Sequence, residues 1–129
     1  MSSADDPTAL AYGCWRIDVY GSSVASSTPM AQRFDPALTA AMTVLAANKQ
    51  ARLAGALATV GRIETVPARS DSVASCVSLW IDVQADGNDE AQAVDAVDAL
   101  MAAVVRQASE RAVRDGTRVE VALVRRGRR

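Results

Sequence analysis

The sequence predicts an α+β fold of order β-α-β-β-α-β, and three observations carry it. Apolar residues recur at every second position in four separate stretches, the spacing of strands with one buried face. They recur at every third or fourth position in two longer stretches, the spacing of helices with one buried stripe. Cap and turn residues mark the joins: Asp35-Pro36, Gly55, Asp86-Gly87 and Gly116.

In the first strand Trp15, Ile17 and Val19 alternate with Arg16, Asp18 and Tyr20. Asp35-Pro36 then opens a helix, the carboxylate acting as N-cap and the proline standing where a missing N–H costs nothing. Leu38, Ala41, Met42, Leu45 and Ala46 form its expected buried stripe, continuing toward Leu53, and Gly55 ends the helix after residues 36–53. The second strand covers residues 57–66, with Gly61 expected as a bulge or a close backbone contact. In the third, Val77, Leu79, Ile81 and Val83 alternate with Ser78, Trp80 and Asp82. A turn at residues 85–89 leads into the second helix, where Val94, Val97, Leu100, Met101, Val104 and Ala108 fall three or four apart and Gly116 is the stop. Val119, Val121 and Leu123 face inward from the last strand.

Two split βαβ units joined by right-handed crossovers resolve into a four-stranded antiparallel sheet with both helices on one face, a ferredoxin-like sandwich. The first and third strands are then central neighbours. Cys14, Arg16 and Asp18 share the uncovered face with Cys76, Ser78, Trp80 and Asp82, joined by Arg118 and Glu120. That face reads either as ordinary solvated surface or as a ligand- or partner-binding face. Cys14 and Cys76 fall at opposite ends of antiparallel neighbours, beyond disulfide reach.

The 129 residues suffice for one domain. We expect a flexible leader over residues 1–12, the domain over 13–124 and a basic tail over 125–129. A net charge of −1 gives no general reason to expect nucleic acid or membrane binding. Arg125, Arg126, Arg128 and Arg129 read as a solvated tail or as an attachment to an acidic partner. No apolar run is long enough to cross a bilayer and no basic segment precedes a hydrophobic core near residue 1, so a cytoplasmic protein with reduced thiols is expected. With no histidine and two cysteines, no ordinary zinc site can form without leaning on carboxylates, and no metal or other cofactor is expected.

Residues 21–30, running from Gly21 through Val24, Ser26, Ser27 and Thr28 to Met30, resemble the G-x-x-x-H-A-G-T-T-P-M segment that opens the lid (dimerisation) domain of the zinc-dependent amidohydrolases. That family includes aminoacylases, allantoate amidohydrolases and N-carbamoyl amino acid hydrolases such as β-alanine synthase. Residues 15–21 are similar to its first lid strand, residues 58–64 with Pro67 to its A-T-V-G-R-L-E…P strand, and residues 71–84 to N-V-I-P-G…L-D-I-R. The resemblance covers residues 14–124. It implies a ferredoxin-like fold, pairing of copies through a sheet edge and the adjacent helix, and a zinc centre carried by a separate, larger domain.

In that family the motif histidine reaches into the partner's active site, while the asparagine and arginine help to hold a substrate carboxylate. Val24, Asp71 and Gln84 stand at those positions here. Valine offers no hydrogen bond, aspartate repels a carboxylate, and glutamine lacks arginine's charged fork. Asp82 matches the aspartate of L-D-I-R and is expected to fix the loop after its strand.

These substitutions leave three readings. The first is a stand-alone, non-hydrolytic lid domain serving as a homodimeric small-molecule-binding or accessory module, paired through the edge at residues 57–60. The second is a small metal-free biosynthetic enzyme (cyclase, lyase or isomerase) in the former cleft, with Asp71 as catalytic base. The third is an accessory subunit of a separately encoded amidohydrolase. The expected binding residues are Val24, Ser26, Ser27, Thr28, Asp71 and Gln84, with Val24, Asp71 and Gln84 clustered and the added negative charge favouring a small amine or amino-acid-like ligand.

Overall fold

The computed structural model describes residues 9–129. Four strands, β1 (Ala9–Tyr20), β2 (Leu57–Val66), β3 (Cys76–Gly87) and β4 (Arg118–Arg128), alternate with two helices, α1 (Pro36–Ala54) and α2 (Glu90–Asp115). One 3-10 turn, Met30–Gln32, lies between β1 and α1. The sheet order is β2-β3-β1-β4, antiparallel throughout, so the ferredoxin-like arrangement expected from the pattern is present.

Period-two alternation sets which strand residues enter the core. Trp15 lies opposite Ile81, Ile17 opposite Leu79 and Val19 opposite Val77, all on the face that α1 and α2 cover. Val97, Leu100, Met101 and Val104 of α2 close over them, as the three-and-four spacing predicts. Gly61 interrupts the β2 register between Val60 and Arg62, as expected of a bulge.

The first helix buries the opposite side from the one its hydropathy indicates. Its ends are as expected: the Asp35 carboxylate accepts from the Ala37 N–H at 2.9 Å, and Gly55 closes the helix in the left-handed conformation. The buried residues, however, are Pro36, Thr39, Ala40, Thr43, Ala46, Ala47 and Ala51. Of the expected stripe only Ala46 is buried, while Leu38, Met42, Leu45 and Leu53 are 46%, 40%, 60% and 72% exposed. Small residues let α1 approach its neighbours closely, and the two threonines bury their hydroxyls fully bonded. Thr39 Oγ1 donates to Asp115 Oδ2 at 2.8 Å and shares a 2.7 Å bond with Thr117 Oγ1. Thr43 Oγ1 donates to the Thr39 carbonyl at 2.8 Å. A satisfied hydroxyl carries little burial penalty, so the threonine methyls serve as core.

Three segment limits also differ from expectation. β1 begins at Ala9, inside the leader expected over residues 1–12; residues 1–8 lie outside those described. β3 runs to Gly87 and absorbs part of the expected turn. β4 runs to Arg128, so most of the expected tail is strand. The long β1 supplies the reason: Ala11 pairs with Arg128, and the Arg129 N–H donates to the Leu10 carbonyl at 3.0 Å. Ion pairs fix the arginine side chains, Arg126 with Asp98 and Arg128 with Glu90. Among the described residues, no helix is long and apolar enough to cross a membrane.

Candidate functional site

Two loops at one end of the sheet carry most of the residues singled out by sequence. The chain leaves β1 at Gly21, whose N–H donates to the Ser75 carbonyl at 2.8 Å. The Val73 N–H then donates to the Val24 carbonyl at 2.7 Å, and the Ser26 N–H to the Asp71 carbonyl at 3.0 Å, around a bridge between Ala25 and Ser72. Val24, Ser26 and Asp71 are thereby brought together. Ser27 sits in the turn closed by the Thr28 N–H on the Ala25 carbonyl at 2.9 Å. Arg33 clasps this turn from beneath, donating through Nε to the Thr28 carbonyl at 3.0 Å and through Nη2 to the Ser26 carbonyl at 2.7 Å.

Gln84 is not part of that group within one chain. It lies opposite Tyr12 on β1 and Leu57 on β2, toward the far end of β3. From Cys76, where β3 begins beside the loops, the extended strand carries it about 26 Å away. The expected cluster of Val24, Asp71 and Gln84 is therefore split between two ends of the sheet, because a straight strand separates residues that a sequence motif sets close together.

Asp71 is exposed and forked onto Arg69, Nε to Oδ1 at 2.9 Å and Nη2 to Oδ2 at 3.1 Å. The hydrogen bond from Arg69 holds the Asp71 carboxyl below the usual carboxylate range. A carboxylate so paired is a weaker base and adds no net charge to the loop. Arg69 was missed in the sequence, although a signal exists. Arginine two residues before an acid recurs as Arg16/Asp18, Arg62/Glu64, Arg69/Asp71 and Arg118/Glu120, and all four pairs form. In extended backbone that spacing puts both side chains on one face.

Beneath the loops is a cavity of about 230 Å³, walled by Ser26, Arg33, Asp35, Thr65, Arg69 and Ser72 among others. The Ser72 hydroxyl is buried and has no hydrogen-bond partner among the described residues.

The uncovered sheet face holds the residues expected there, interlocked. Trp80 lies under two guanidiniums, Arg62 at 4.2 Å and Arg16 at 5.9 Å from the ring centroid. Asp18 is 7% exposed and accepts from Arg16 Nε and Nη2 at 3.0 and 2.7 Å and from Ser78 Oγ. Burial pushes its pKa up, but the bonds from Arg16 and Ser78 outweigh this and leave it below the ordinary value. Asp82 does not fix the following loop; it points from mid-strand to Arg129, accepting from Nη1 and Nη2 at 2.9 Å each. Cys14 lies opposite Asp82 and Cys76 opposite Tyr20, and both thiols are free.

No protein-family profile and no curated protein matches the sequence. The fold, by contrast, matches solved structures across nearly the whole chain. A hydantoinase/carbamoylase family amidase from Burkholderia ambifaria superposes with a TM-score of 0.83 at 23% identity, over 94% of this chain and 29% of that one. An amidase of the same description from Burkholderia multivorans gives 0.81 at 20% identity, over 92% of this chain and 28% of that one. Aminobenzoyl-glutamate utilization protein from Klebsiella pneumoniae gives 0.73 at 15% identity, over 92% and 29%. The chain spans less than a third of the length of these structures and has the fold of that one portion.

Proposed function

We propose that this chain acts as a lid-type, non-hydrolytic domain that pairs with its own copy and serves as a binding or accessory module. One observation carries the proposal: the outward side of α1 presents Leu38, Ala41, Met42 and Leu45 as a continuous exposed apolar stripe beside the edge of β2 that no other described strand pairs. Ile63 of β2 is 56% exposed next to it, and an apolar groove of about 190 Å³ runs between α1 and the strand. Contiguous exposed leucine and methionine next to a strand edge with open N–H and C=O groups is the surface that a second copy covers.

Two-fold pairing of β2 with itself runs antiparallel. The Leu57 end of one copy, beside Gln84, then faces the Val66 end of its partner, beside Val24 and Asp71. Gln84, separated from Val24 and Asp71 within one chain, then comes to them across such a pair. Valine there offers no hydrogen bond, so the composite site lacks the histidine that would steady a reacting carbonyl. The absence of histidine from the sequence supports the non-hydrolytic part of the proposal.

Hydrogen exchange at two protein concentrations tests the pairing. Amides of β2 should gain protection at the higher concentration while those of β4, the other edge, stay unchanged. Protection of β2 that does not vary with concentration would count against it.

A further inference from the structure

We propose that the cavity of about 230 Å³ beneath the two loops is a binding site for a small oxyanion, a phosphate or a short carboxylate, held by the Arg33 guanidinium and the Ser72 hydroxyl. The inference does not rest on self-pairing, because every wall belongs to one chain, although Ala37 and Thr65 also line the groove between α1 and β2.

Three observations converge on it. Arg33 is half-buried, and its guanidinium is held only by neutral acceptors, the Thr28 and Ser26 carbonyls. Among the described residues it makes no ion pair, and a cation drawn out of water without a counter-charge favours an anion beside it. The second is the hydroxyl of Ser72, a wall residue: it is shut off from solvent and has no hydrogen-bond partner among the described residues, so an oxygen that presses against this wall and shifts it slightly would complete it. The third is the charge balance of the walls. Arg33 and Arg69 face a single acid, Asp35, whose Oδ1 already caps α1 by accepting from the Ala37 N–H. Arg69 commits Nε and Nη2 to Asp71, which leaves Nη1 as a further donor. Ser26, Ser70 and Thr65 supply more hydroxyls to the same walls.

The volume fits. At about 30 Å³ per water the space holds several waters or one small molecule, and no long chain. The connections also place the site under the motif loops: Arg33 grips the Ser26 carbonyl, Ser26 bonds the Asp71 backbone, and Ser72 follows directly. An anion here would pin the Val24 loop to the Asp71 loop.

Isothermal titration calorimetry of the full chain at constant ionic strength, with inorganic phosphate in one arm and sodium acetate in the other, tests the proposal. Saturable heat in at least one arm is expected, and the tighter of the two identifies the ligand as phosphate-bearing or carboxylic. Arg33→Gln should weaken binding about ten-fold or more, as loss of a charge-assisted bond does. Because Arg33 also clasps the turn, Ser72→Ala decides the matter: it breaks no existing hydrogen bond, so it should keep the melting temperature and still lower affinity several-fold. No saturable heat in either arm, or Ser72→Ala binding as tightly as the unsubstituted protein, would overturn the site.

Discussion

Thr39 Oγ1 donates to Asp115 Oδ2 at 2.8 Å across 76 residues of sequence, and this bond ties the first turn of α1 to the last turn of α2. Asp115 is held in turn by Arg111 Nε at 3.0 and 2.9 Å, while Thr117 shares the Thr39 hydroxyl. The network turns the threonine and alanine side of α1 inward, and that orientation sends Leu38, Met42 and Leu45 outward.

Replacing Thr39 with valine keeps the volume and removes the hydroxyl, leaving the inward Asp115 carboxylate short of one donor. Urea unfolding should show a loss of about 1–3 kcal/mol, the cost of stranding a buried polar partner, and Thr39→Ser should recover most of it.

The two left-handed glycines that end the helices differ in their surroundings. A Cβ on Gly55 meets nothing within 4 Å, whereas one on Gly116 falls 2.4 Å from the Phe34 ring. Gly55→Ala should cost about 1 kcal/mol for the backbone conformation alone. Gly116→Ala should cost roughly 2 kcal/mol or more, since Phe34 must also swing away. Thermal unfolding of both variants measures the difference.

These elements also show how far the sequence could be read. The two central strands and α2 are legible because their largest apolar residues are their buried ones, as with Ile17, Leu79 and Val104, whereas the edge strands leave Leu57, Ile63, Val121 and Leu123 exposed. The inward side of α1 is not, because hydropathy ranks Leu and Met above Thr and Ala, and only the distant Asp115 and Thr117 reveal that the threonine hydroxyls are satisfied. Asp82 fails for a similar reason: its partner, Arg129, arrives through a strand continued 47 residues later. At the site, the motif correctly joins Val24 to Asp71, whose loops are bonded to each other, and misplaces Gln84, which a straight strand carries off. Arg33 bears no local mark at all, since its role depends on carbonyls five and seven residues before it.

Acid sensitivity should trace partly to Asp18. Its folded pKa lies below its unfolded value, so the unfolded chain binds the proton more readily as the pH falls. The contribution is complete above the unfolded value, about 3.9, and is lost as pH drops through the folded value. Asp18→Asn should therefore cost stability near neutrality, about 1.5 kcal/mol given that Arg16 is half exposed, and less at pH 3 than at pH 7. Urea midpoints of both proteins at pH 7 and pH 3 check the sign.

Asp71 should prove unimportant to folding. Its pair with Arg69 is solvent-exposed on both sides, 63% and 62%, and pairs of that kind add little. Asp71→Asn should leave the urea midpoint where it is; a clear drop would mean that the fork onto Arg69 organises the loop.

Sedimentation velocity at micromolar concentration tests self-pairing most directly, with the unsubstituted protein run beside Leu45→Glu. Leu45 is 60% exposed in the single chain, so glutamate there leaves the fold intact but places a charge in the middle of the apolar stripe. A dimer for the unsubstituted chain and a monomer of unchanged circular dichroism for Leu45→Glu is the predicted result. A monomeric unsubstituted chain, or a dimer that Leu45→Glu does not disturb, would contradict pairing through α1 and β2.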